Sequence, residues 1–148
     1  MTRRLLPLSF LVIVALILAT IFLSMAASNA VPRSGVSQHV RPITANDVKP
    51  VECAGLSLTN KLSGSGTFSG TSANNLILGS AGVDTISGLD GNDCILGGGG
   101  NDTLNGNGNN DVILGGAGND ALNGGANTDT CHGESGTDTF TNCETQIQ

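Results

Sequence analysis

The chain has 148 residues, enough for one ordinary domain, but 22 glycines, no Trp or Tyr and 3% aromatic content leave little bulk for a conventional core. The net charge of −6 is unevenly placed: all six Lys and Arg lie at or before Lys61, whereas ten Asp and Glu and no basic residue occur from Leu62 onward. An anionic body of this kind repels nucleic acid and anionic lipid, and it suits metal cations.

Arg3 and Arg4 precede an apolar run from Leu5 to Met25, followed by the small-residue stretch Ala26-Ala27-Ser28-Asn29-Ala30. That order is the one a secretory signal has, so residues 1–30 read as a signal peptide with Ser28 and Ala30 at the two positions that need small side chains. The apolar run is nearly long enough to span a bilayer, which leaves an uncleaved membrane anchor as the alternative. Either way the rest of the chain is expected outside the cytoplasm. Residues 31–50 contain Pro32, Pro42 and Pro50 without periodicity and read as a disordered linker, with His39 a solvated residue inside it. In residues 51–60 apolar side chains return (Val51, Ala54, Leu56, Leu58) together with Cys53. This stretch is assigned as an N-terminal cap, because a terminal repeat of a stacked array needs a cover over its open end.

From Lys61 to Thr141 one nonapeptide is written nine times without insertion. Clear copies are Gly79 to Ser87 (GSAGVDTIS), Gly88 to Leu96 (GLDGNDCIL), Gly97 to Asn105 (GGGGNDTLN) and Gly115 to Asn123 (GGAGNDALN). The pattern is G-G-x-G-x-D-x-U-x, where U is a large apolar residue. At U the copies read Phe68, Ile77, Ile86, Ile95, Leu104, Ile113, Leu122, Cys131 and Phe140. Asn109 and Asn127 replace the third pattern glycine, and Asn is the residue that tolerates a left-handed backbone best after Gly.

This array resembles the RTX (repeats-in-toxin) calcium-binding nonapeptide repeats. The resemblance implies an all-β fold, a parallel β-roll (β-solenoid) in which two nonapeptides complete one turn and the U residues point inward. Each copy should then hold a six-residue turn and a three-residue strand, and the stack should be on the order of 20 Å long. Residues 142–148 form a closing segment. Many RTX proteins are exported through a C-terminal signal. This chain carries its address at the N-terminus instead and looks like a variant for general secretion.

Position six reads Asp84, Asp93, Asp102, Asp111, Asp120, Asp129 and Asp138 in seven successive copies, preceded by Gly66 and Asn75. With two copies per turn these carboxylates make two files: Asp84, Asp102, Asp120 and Asp138 on one edge, Asp93, Asp111 and Asp129 on the other. Neighbours within a file belong to adjacent turns, so a hard cation between them would take a carboxylate from each, and turn carbonyls would fill the six or more oxygen positions that Ca²⁺ prefers. Counting neighbours gives three sites on the first edge and two on the second, with none complete before Asp84. Asp90 is a candidate accessory ligand.

Four cysteines in an exported chain most simply make two disulfides, and three pairings are open. Cys53–Cys94 with Cys131–Cys143 is favoured, because outward strand positions divide sharply. One sheet would present Leu76, Leu78, Cys94, Leu96, Val112 and Leu114, and the other Thr85, Ser87, Thr103, Asn105, Ala121, Asn123, Thr139 and Thr141. An apolar strip of that size calls for a cover, and the segment around Val51 to Leu58, clamped through Cys53, is the nearest one. His132 is an outward surface residue.

The sequence has no H-E-x-x-H, no G-x-S-x-G and no phosphate loop, so no catalytic residues are assigned and the chain is not expected to be an enzyme. The expected function is that of an extracellular protein whose repeats set into a rigid rod on binding Ca²⁺. Alternatives are a calcium-dependent adhesin or matrix component that binds a cell-surface or matrix partner through the apolar face, or an ice- or ordered-surface binder using the Thr/Ser/Asn face. A membrane enters only if the N-terminal segment is uncleaved.

Overall fold

The computed structural model describes residues 42–148. The signal or anchor, His39 and the linker up to residue 41 lie outside the described residues. Among the described residues eleven strands follow one another: β1 (Asn60–Ser63), β2 (Thr67–Ser69), β3 (Asn75–Leu78), β4 (Thr85–Leu89), β5 (Cys94–Gly99), β6 (Thr103–Gly108), β7 (Val112–Ala117), β8 (Ala121–Ala126), β9 (Thr130–Ser135), β10 (Thr139–Thr141) and β11 (Thr145–Ile147). Odd strands form a six-stranded sheet in the order β1-β3-β5-β7-β9-β11, and even strands a five-stranded one, β10-β8-β6-β4-β2. All the pairings are parallel. This is the expected β-roll.

The register follows from the repeat. Ile77 pairs with Ile95 and Ile95 with Ile113 in one sheet, and Ile86 with Leu104 and Leu104 with Leu122 in the other, so neighbours lie two nonapeptides apart. These side chains meet between the sheets in one fully buried cluster with Cys131 and Cys143. Shape suits the job: β-branched and γ-branched aliphatics fill a narrow pleated interior, and burying each contributes roughly 1.5–3 kcal/mol. Leu62, Phe68 and Phe140 pack on this cluster half-buried, so the two aromatic rings stand at its ends.

Three features depart from the sequence expectation. Central strands run to six residues, such as Cys94–Gly99, because pairing resumes past the first glycine of the next copy (Gly98 with Gly116, Gly99 with Ala117). The roll also extends beyond the nine copies at both ends. There Asn60 pairs with Asn75 and Thr130 with Thr145, a step of 15 residues in place of 18. The closing segment is therefore the last strand of a sheet, and it turns a polar residue, Gln146, over the buried Cys131.

The third departure concerns the cover. Residues 42–50, expected in the linker, begin it instead: α1 (Ala45–Val48) buries Ala45 and is followed by a 3₁₀ turn at Val51–Cys53. The Asn46 side chain holds Leu58 at both backbone atoms, donating to its carbonyl at 2.7 Å and accepting its N–H at 2.9 Å. Lys49 donates to the carbonyls of Ala54 and Leu56. So fixed, Ala45, Cys53, Leu56 and Leu58 lie against Leu76, Cys94 and Leu114, with Leu78, Leu96 and Val112 at the margin. The segment thus lies along the apolar outer face of the six-stranded sheet rather than only over the first coil. The Cys53–Cys94 disulfide clamps it there, and Cys131–Cys143 closes the C-terminal end of the inner cluster.

Candidate metal centre

From Gly88 onward, left-handed residues bring the ends of each turn together. Position four adopts φ of 74° at Asn109 and 85° at Asn127, as it does at Gly91, Gly100, Gly118 and Gly136. From the copy starting at Gly88, position two is left-handed as well, including Leu89, Asn107 and Glu134, which the pattern did not announce. The turn closes so tightly on its first glycine that a Cβ built on Gly97 would lie 2.5 Å from Asp102 Oδ2 and 2.5 Å from the Gly115 carbonyl oxygen of the next turn. The same convergence is found over Gly88 (Asp93 and Gly106), Gly106 (Asp111 and Gly124) and Gly115 (Asp120 and Gly133). A carboxylate oxygen and a carbonyl oxygen therefore face one spot on a bare glycine.

The position-six carboxylates stack in the two anticipated files. Asp102 Oδ1 accepts the N–H of Asp84, Asp120 Oδ1 that of Asp102, and Asp138 Oδ1 that of Asp120, each at 2.8 Å. On the other edge Asp111 accepts from Asp93 at 2.7 Å and Asp129 from Asp111 at 2.8 Å. One oxygen of each is thus satisfied by the turn before. The second oxygens of Asp93, Asp102, Asp111, Asp120 and Asp129 are buried and have no hydrogen-bond partner among the described residues. Five buried, unpartnered anionic oxygens in one small fold are costly.

Burial is the first cause of what this does to their acidity. It pushes Asp111 up to about 8, helped by the like charges of Asp93 and Asp129, and Asp93 up to about 6. Asp102, Asp120 and Asp129 are raised for the same reason, with neighbouring carboxylates adding to it. Asp84 goes the other way. Its Oδ2 accepts the Ser80 N–H at 2.7 Å and the Ser80 hydroxyl at 2.9 Å, its Oδ1 accepts from Gly66, and the Ser80 N–H chiefly lowers its pKa. At the far end Asp138 Oδ2 accepts from the Gln148 amide at 2.8 Å. Neighbour counting gave three intervals on the Asp84 edge and two on the Asp93 edge. The unpartnered oxygens divide the other way, two and three. Asp90 stays exposed outside both files.

Among the described residues no three His, Cys, Asp or Glu side chains cluster to hold a metal. A cation would rest on carboxylates plus backbone carbonyls. All-oxygen donors in an adaptable loop suit calcium better than magnesium, which demands a tighter octahedron. The orphaned oxygens and the glycine cradles fit that ion.

Fold and site together define a calcium-binding β-roll. The repeats match the family model of the RTX calcium-binding nonapeptide repeat over residues 69–104 and 105–140. Residues 69–140 are thus RTX calcium-binding nonapeptide repeats. Neither the comparison with curated proteins nor that with solved structures finds a match.

Proposed function

We propose that the protein is an exported, non-catalytic rod that calcium sets into its rigid form outside the cell, with Asp93, Asp102, Asp111, Asp120 and Asp129 as principal ligands and Asp138 closing its file, while Asp84, whose oxygens Gly66 and Ser80 occupy, ends that file without binding an ion. The observation that carries this reading is the set of five buried carboxylate oxygens without a donor. Metal-free and ionised, they oppose the fold; bound to calcium, they drive it, so binding free energy becomes folding free energy. Extracellular calcium modules work at about 10⁻⁴–10⁻³ M, which is far above cytoplasmic calcium. The chain would stay soft until exported through its N-terminal signal. Titrating calcium into chelated protein and following far-ultraviolet dichroism tests this. A cooperative gain of β-structure in that range is expected, and a roll already complete in excess chelator overturns it.

For an adhesive role, the surface on offer differs from the one the sequence suggested. Leu76 and Cys94 on the apolar face are fully buried under the 42–58 segment. Among the described residues nothing covers the polar sheet in this way, and there Thr67, Thr85, Thr103, Ala121 and Thr139 line up in one register, exposed. A hydroxyl-rich partner or an ordered surface such as ice fits that file, which Ala121 interrupts. Calcium-dependent retention on a matrix would support the first, and thermal hysteresis the second.

A further inference from the structure

The two carboxylate files do not end alike, and the difference locates a site that counting nonapeptides misses. Glu144 is not in a repeat, yet it stands in the sheet position next to Asp129, because the last coil closes three residues short and pairs Thr145 with Thr130. Its Oε2 accepts the Asp129 N–H at 2.7 Å, as Asp129 Oδ1 accepts that of Asp111 at 2.8 Å. Asp129 itself is fully buried, and its other oxygen has no partner. Over Gly124 a Cβ would collide with both that oxygen and the Asn142 carbonyl oxygen, which repeats the cradle built over Gly97 by Asp102 and Gly115. Every element of the repeat site is therefore present, with Glu144 supplying the next carboxylate and Asn142 the next carbonyl.

At the two ends of the other file, protein donors occupy the outer oxygens. Ser80 bonds Asp84 Oδ2 and Gln148 bonds Asp138 Oδ2. Asp129 has no such donor, although Glu144 and Gln148 are only four residues apart in the chain.

We propose that the closing segment completes a terminal calcium site between Asp129 and Glu144, and that the Asp84–Asp102 interval holds no ion of its own. Resting on the calcium reading above, this makes five sites in all, one for each unpartnered oxygen. The additional methylene of Glu lets a carboxylate from a shortened coil take the place that Asp takes in a full one.

Calcium bound at saturation by the full chain, measured by equilibrium dialysis with metal analysis, tests the assignment. Wild type is expected to hold five ions, matching the five orphaned oxygens. Glu144→Gln, which keeps an acceptor for the Asp129 N–H, should lose one, and so should Gly124→Ala, which fills the cradle without removing any carboxylate from the chain. Asp84→Asn should keep the wild-type count. Retention of the full count by both Glu144→Gln and Gly124→Ala overturns the terminal site, as does loss of an ion in Asp84→Asn. A collapse of all binding in Glu144→Gln while Gly124→Ala keeps every ion also overturns it, since Glu144 would then act only as an end cap. Wild type binding no calcium sinks the underlying calcium reading instead, and the two failures are thereby distinguished.

Discussion

Asp129 Oδ1 accepts the Asp111 N–H at 2.8 Å, while the second oxygen of Asp111 lies buried without a donor. Asp93, Asp102, Asp111, Asp120 and Asp129 each bind the turn before in this way and leave one carboxylate oxygen unpaired. The same residues tie the turns together and load them with charge.

Asp111→Asn separates these two effects. An amide keeps the acceptor for the Asp93 N–H and removes the charge; Asn75 already stands in the corresponding place, with its N–H and its amide both bonded to Asp93. In chelator at pH 7 the variant is expected to be more stable than wild type, by on the order of 3 kcal/mol. In calcium its half-saturation point should rise about tenfold, or about 1.4 kcal/mol. Urea melts with and without calcium measure both. A variant less stable than wild type in chelator would show that charge is not what opposes the metal-free fold.

The pH dependence follows from the same groups. Asp93 and Asp111 sit at about 6 and about 8 in the metal-free roll, against an ordinary value of 3.8. The folded chain therefore binds more protons than the unfolded one, and their favourable contribution is complete below 3.8 and lost as pH rises through 6 and then 8. In chelator the roll should be most ordered in mild acid and least ordered near pH 8. Calcium must displace those protons, so the calcium needed for half-saturation should fall as pH rises from 5 to 8. Dichroism against pH in chelator checks the first trend; an increase in order from pH 5 to 8 would reverse the assigned sign.

What the sequence displays well is whatever repeats at nine. The inward file from Phe68 to Phe140, the two carboxylate edges, and the contrast between the Leu76 and Thr85 faces all follow from a register that never slips. The disulfides follow from those faces, because Cys94 sits outward on the apolar sheet and Cys131 inward. What escapes is whatever breaks the period. Glu144 falls on the third position of a notional tenth copy, and only the 15-residue closing step brings it opposite Asp129. Asn60 enters β1 by a similar step at the other end. Residues 42–50 look like linker because their role depends on one buried alanine and the paired bonds of Asn46, which no periodicity reveals. Likewise, Ser80 reads as a neutral replacement for a pattern glycine, yet its hydroxyl and N–H take over the outer oxygen of Asp84.

Leu89 is the clearest local conflict between sequence and backbone. It holds φ of 79° while 43% exposed, in register with the left-handed Asn107 and Gly125. A side chain with a Cβ is strained there by about 1–2 kcal/mol, and its apolar surface gains little from the site. Leu89→Gly should therefore stabilise the calcium-loaded roll by about 1 kcal/mol, raising the melting temperature by roughly 4 °C. Unchanged or lower melting would mean that the Leu89 side chain makes a compensating contact.

The cover over the six-stranded sheet gives a prediction that leaves the calcium sites alone. Cys53 and Cys94 are joined across 41 residues, and closing a loop of that length contributes about 3–4 kcal/mol by restricting the unfolded chain. Replacing both with alanine removes that restraint and leaves the cover held to the sheet by its apolar contacts, with the Asn46–Leu58 bonds keeping the cover itself in shape. Adding Asn46→Ala removes those bonds as well. The triple variant should bind a hydrophobic dye that the wild type does not, because Leu76, Leu114 and their neighbours lose their lid. Calcium stoichiometry should stay at the wild-type value, since the carboxylate files lie at the turns and not on that face. Dye binding unchanged from wild type would show that the cover stays docked without the disulfide and the Asn46 bonds, and a fall in bound calcium would show that the lid supports the turns beneath it.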